Sequence, residues 1–76
     1  HAPEWMRDVS LERIGPSELR VNVGGEIRRV ALLDLAGAEL WSGTQKTIPV
    51  GQLRAGSYLV KIVAPDGELV KAFTKL

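Results

Sequence analysis

The sequence predicts an all-β domain: a two-sheet sandwich of seven short antiparallel strands. Three observations lead there. Apolar and polar residues alternate along most of the chain, the period of a half-buried strand rather than of a helix. Turn residues interrupt the alternation at short intervals, as in sandwiches and barrels. The chain has 76 residues, 45% of them hydrophobic and 25% charged, which is one ordinary globular domain.

Residues 1–8, with Pro3 and Trp5, read as a linker remnant, and residues 9–76 as the sandwich. The strands are expected at 9–14, 19–23, 27–35, 39–41, 46–50, 57–63 and 69–74. In the second, Leu19, Val21 and Val23 share one face while Arg20 and Asn22 take the other. The segment 28–33 has the composition of a helical turn, but Asp34-Leu35-Ala36-Gly37 follows it as a hairpin bend, which favours strand. Residues 51–56 are expected to connect the sheets. In the sixth strand Tyr58, Val60 and Ile62 alternate with Lys61. Gly24-Gly25 and Asp66-Gly67 suit tight hairpins, whose turns need positive φ. The expected core is Leu19, Val21, Val23, Val30, Leu32, Leu40, Ile48, Val50, Leu53, Tyr58, Val60, Ile62 and Phe73.

Composition excludes several functions. There is no cysteine, hence no disulfide, thiolate metal site or cysteine nucleophile. The single histidine is the terminal His1, a poor base for a serine triad or a metal site. Ten basic residues against nine acidic give a net charge of +1, which does not point to nucleic acid or an anionic membrane. Asp34, Glu39, Asp66 and Glu68 lie at or beside bends, where carboxylates cap turns; their spacing is not that of a calcium loop. Arg28-Arg29 reads as a solvated strand face, and Gly24-Gly25 lacks the lysine and following helix of a phosphate loop. No apolar stretch reaches the length of a membrane span, and no basic stretch leads into an apolar run, so neither span nor signal peptide is expected. The chain reads as a module of a longer protein, without catalytic residues, metal or cofactor.

Four aromatics remain: Trp5, Trp41, Tyr58 and Phe73. Tyr58 and Phe73 fit the core alternation. If Leu40 points inward, Trp41 points outward, and an exposed tryptophan on a sandwich is a platform for a sugar or a partner. Trp41 and Trp5 are thus the candidate ligand platform of an accessory carbohydrate-binding or Ig-like module on a secreted glycanase or protease. The last strand is read as a sheet edge, so weak self-association is expected at high concentration.

The C-terminal half carries a more specific pattern. Val30-Ala31-Leu32-Leu33-Asp34-Leu35-Ala36-Gly37-Ala38-Glu39-Leu40 is an apolar strand, an Asp, a Gly and a second strand. Ile48-Pro49-Val50-Gly51-Gln52-Leu53-Arg54-Ala55-Gly56-Ser57-Tyr58-Leu59-Val60-Lys61 follows, and Gly67 to Leu76 closes the chain with lysines in a strand. This succession, from about Leu19 onward, resembles the C-terminal sorting domains of the type IX (Por) secretion system. Their signature reads I-D-V-S-x-L-x-x-G-x-Y-L-V-K-V. Two features depart from it: Pro49 stands where the Asp is usual, and Arg13-Ile14-Gly15-Pro16-Ser17 replaces a Tyr-Pro-Asn-Pro opening.

The resemblance implies a seven-stranded antiparallel Ig-like β-sandwich that acts as a non-catalytic address in a Bacteroidetes-like bacterium. It implies an N-terminal cargo domain in cis, recognition by the outer-membrane type IX translocon, and cleavage by a sortase-like peptidase. It also implies passage through the periplasm to the cell surface or beyond. Translocon recognition would fall to the matching residues Gly56, Tyr58, Leu59, Val60, Lys61, Lys71, Phe73 and Lys75. A far-UV circular dichroism spectrum dominated by strand, without the double minimum of helix, is the expected outcome for the isolated chain.

Overall fold

The computed structural model describes residues 9–76; the linker reading of 1–8, with Trp5, lies outside them. The described residues form seven strands and no helix, so none of them belongs to a helix long and apolar enough to cross a membrane. The strands are β1 (Ser10–Arg13), β2 (Glu18–Asn22), β3 (Arg29–Leu33), β4 (Glu39–Gly43), β5 (Thr47–Pro49), β6 (Gly56–Ala64) and β7 (Gly67–Lys75). Each coincides with an expected strand, with shifted ends.

They make two antiparallel sheets, β1-β2-β5 and β4-β3-β6-β7. The chain changes sheet after β2, after β4 and after β5. Inward residues from both sheets meet in one core: Leu19, Val21 and Ile48 from the first, Val30, Leu32, Val60, Ile62 and Phe73 from the second. That is a β-sandwich, and its alternation follows from the pleat. Along β7 the outward residues Glu68, Val70, Ala72 and Thr74 are all exposed, while the inward Leu69, Lys71 and Lys75 are half-buried and Phe73 is buried. No polar or charged side chain is buried among the described residues.

The turns explain the order. Pro65-Asp66 joins β6 to β7 in a two-residue loop closed by Ala64 opposite Gly67, the tight hairpin expected there. Between β3 and β4, Asp34 Oδ1 accepts from the amides of Ala36 and Ala38, each at 2.9 Å, as a turn carboxylate does. Pro49 lies in the edge strand β5, where its missing amide donor costs the ladder least. Gly24-Gly25 makes no hairpin: β2 and β3, which it connects, belong to different sheets.

Two core assignments reverse. Leu40 is 47% exposed, and Trp41 is packed against the core. The register explains both. Leu32 faces Trp41, but Leu33 faces Glu39, so Leu40 is the extra residue of a β-bulge. The bulge breaks the alternation once and turns Trp41 to the side of the buried Leu32. The indole then lies over Gly43, where a Cβ would sit 2.9 Å from the ring carbons, so Gly43 leaves the room the ring occupies. Val9, Ala31 and Ala64 join the buried set beyond the expected core.

Ile62 is fully buried in a strand paired on both sides, so Ile62→Ala should destabilise the domain by about 2–5 kcal/mol. Val70→Ala, on the exposed face, should stay within about 0.5 kcal/mol of the parent. Urea unfolding of the two variants checks the contrast.

Candidate functional site

The signature-like residues gather around the passage from β5 to β6, where the chain leaves one sheet for the other. Val50 is fully buried there, and its amide donates to the Ser17 carbonyl at 2.9 Å. The amide of Leu53 donates back to the Val50 carbonyl at 3.2 Å, which closes a turn. Gly56 then opens β6 at φ +153°, a backbone conformation that a side chain would strain.

Two side chains fasten this passage. The Tyr58 hydroxyl donates to the Arg54 carbonyl at 2.7 Å, four residues upstream. The Lys75 ammonium donates to the carbonyls of Val50, Gly51 and Leu53 at 2.6, 3.0 and 2.8 Å. An ammonium has three protons, so each has an acceptor. Lys75 stands opposite Gly56 across the β6–β7 ladder, which brings the end of the last strand onto the crossing. Beside it Tyr58 faces Phe73, with ring centroids 6.5 Å apart, inside the range of aromatic pairs.

The candidate recognition residues are therefore divided between two faces. Tyr58, Val60, Lys71, Phe73 and Lys75 point to the core side; Leu59 and Lys61 point outward. Val60 and Phe73 are buried, so neither is presented to a partner. The Lys75 ammonium is engaged within the molecule, a role its place in the sequence pattern did not reveal. Nothing in the spacing of residues 50 to 75 announces that backbone carbonyls will converge there.

The outer face of the four-stranded sheet carries a shallow depression of about 250 Å³, lined by Arg29, Ala31, Leu33, Glu39, Lys61 and Val63. Arg29 forms an ion pair with Glu39, and Lys61 lies 3.5 Å from Glu68. Ala31 lines the depression together with Arg29 and Glu39 and is only 4% exposed although it lies on an outer face. Exposed pairs of this kind are worth little each, about 0–1 kcal/mol. They leave the depression with both signs of charge on its walls.

Trp41, half-buried on the core, does not stand free on the sheet, and Trp5 lies outside the described residues. Among the described residues no group of three or more His, Cys, Asp or Glu converges as a metal site. No protein-family model, no curated protein and no solved structure matches this chain.

Tyr58→Phe should lower stability by about 0.5–1.5 kcal/mol through the lost hydrogen bond, and Lys75→Met by about 1.5–3 kcal/mol because its bonds are charge-assisted. Both fasten one short segment, so a double-mutant cycle in urea should give a coupling of at least about 0.5 kcal/mol.

Proposed function

We propose that the chain is an Ig-like sandwich serving as a C-terminal sorting domain for type IX secretion. The Ig-like reading rests on strand order. In the constant-type Ig arrangement the fourth strand completes the first sheet; here β4 pairs with β3 instead, and the rest of the order is kept. A tyrosine near the start of the sixth strand, bonded to a backbone carbonyl upstream, is the tyrosine corner of such sandwiches.

One observation carries the sorting reading. The residues that match the family signature, from Leu53 through Gly56 to Tyr58, together with the closing Lys75, are those that secure the crossing between the sheets. In this reading the signature specifies a folded surface rather than a linear tag. The domain is non-catalytic and needs no cofactor. It is carried behind an N-terminal cargo domain, crosses the periplasm folded, and is read at the outer membrane by the translocon. A sortase-like peptidase then releases the cargo or leaves it at the cell surface. The buried signature residues act by holding the fold, and the outward Leu59 and Lys61 contact the translocon. The carbohydrate-binding alternative needs exposed aromatics, whereas among the described residues Trp41 and Tyr58 pack against the core and Phe73 is buried within it.

Fusion of the chain to a periplasmic reporter in a type IX-competent host should bring the reporter to the surface or the medium. Lys61→Glu should reduce export while leaving the melting temperature close to the parent's. If the fusion stays periplasmic while an established sorting domain exports the same reporter, the proposal fails.

A further inference from the structure

A sandwich of two open sheets has four edge strands, and here they are unequal. β1 has four residues. β5 has three, one of them Pro49. β4 is interrupted by the bulge at Leu40. β7 has nine residues, no proline and an unbroken register with β6. It is the edge best suited to accept another strand.

The direction of its free backbone groups follows from the ladder. The Val63 carbonyl accepts from Arg28 on the β3 side at 2.7 Å, so the backbone groups of Val63 face β3. Antiparallel strands alternate, so the groups of Glu68, the residue opposite Val63, face away from β6. Val70, Ala72 and Thr74 do the same. Four residues, each with one donor and one acceptor, thus present a row along the open edge that no other strand among the described residues pairs.

Lys71 stands at the centre of that row, with its side chain on the core-side face opposite the buried Val60. It has no hydrogen-bond or ion-pair partner among the described residues, unlike Lys61 and Lys75 on the neighbouring positions of the same hairpin. Consider a second copy pairing antiparallel along β7. The register that matches all four free residues sets Glu68 against Thr74 and Val70 against Ala72, each in both directions. Its centre is Lys71 against Lys71, at a non-hydrogen-bonded position where the Cα atoms approach to about 4.5 Å. Like charges so placed oppose pairing. Moving the register by two residues avoids the clash but leaves some of the free residues without a partner in the facing strand.

We propose that the open edge of β7 is a strand-acceptor site for an extended segment of another protein that carries a carboxylate opposite Lys71. The same lysine turns away a second copy of this chain. The partner adds one antiparallel strand to the four-stranded sheet, its backbone satisfied by Glu68, Val70, Ala72 and Thr74. Val70, now 48% exposed, is covered by the added strand. This does not rest on the export reading, since it follows from the edge alone.

The Lys71→Glu variant of the same chain is the probe, because it offers the same strand in the same register with a carboxylate at the centre. Sedimentation velocity across a concentration series should find the parent and the variant each monomeric alone. An equimolar mixture should form a one-to-one dimer, with association at least about tenfold stronger than in either alone, and amide exchange at Val70 and Ala72 should slow. A mixture that stays monomeric, with both proteins folded by circular dichroism, overturns the proposal. So does a parent that self-associates as strongly as the mixture, which would make a second copy the occupant. Should Lys71→Glu fail to fold, Lys71→Gln serves instead: free of the like-charge opposition, it should self-associate alone, and a monomeric Lys71→Gln overturns the proposal equally.

Discussion

The fold turns on the passage from β5 to β6. Two sheets packed face to face must be joined by chain that leaves one ladder before it enters the next, and the polar groups of that chain lose their regular partners. At this crossing the problem is acute because Val50 is fully buried in the core, and Leu53, at the other end of the turn, packs against that core. Its amide is answered by Ser17 and its carbonyl by Leu53 and Lys75. Arg54 is answered by Tyr58. An unmade bond at a part-buried carbonyl costs more than a made one contributes, so the lysine matters most at Val50 and Leu53, while the tyrosine bond to Arg54 is exposed and acts as a tether. The last strand is thereby tied to the crossing by a side chain as well as by its ladder with β6.

Such ties weigh heavily in a domain this small. The chain has no cysteine to link its sheets. Apolar burial is the main force between them, and a single core of this size leaves only about 3–5 kcal/mol after chain entropy. The long β6–β7 hairpin supplies much of that core through Val60, Ile62 and Phe73, and β3 supplies Val30 and Leu32. The three-stranded sheet contributes Leu19, Val21 and Ile48 from much shorter strands. A crossing held at one end by Lys75 compensates for that asymmetry, because it fixes β5 and the start of β6 relative to the long hairpin.

Most strands were legible in the sequence because they have one wet and one dry face, which a period of two records directly; β3, with Val30, Ala31 and Leu32 all buried, was legible from the Asp34–Gly37 bend that follows it. What alternation cannot record is a break in its own phase. The bulge at Leu40 shifts the pattern by one residue, and for that reason alone strict alternation puts Leu40 and Trp41 on the wrong sides. Gly24-Gly25 failed differently: glycine pairs mark where a chain bends, not whether the bend returns to the same sheet. Of the candidate site, the alternation of Tyr58 and Val60 and the end of the connection at Gly56 could be read. The bonds of Tyr58 and Lys75 could not, since their acceptors are backbone carbonyls, which every residue carries and no sequence pattern distinguishes.

Lys71 and Lys75 show how far position decides what a side chain does. They lie on one strand and one face, four residues apart, with the same chemistry. Lys75 reaches the β5–β6 turn, whose carbonyls are turned toward it, and becomes part of the interior bonding. Lys71 lies over Val60 in mid-strand, where the facing backbone is already committed to its ladder, so its charge stays available. Lys71 as a residue is half-buried on the apolar face of the strand, where a lysine's aliphatic stem covers carbon while its charge keeps to solvent. The first lysine is therefore a requirement of the fold. The second is a choice about what the edge admits, because replacing it by an apolar residue would leave a long, uncharged strand open to any chain.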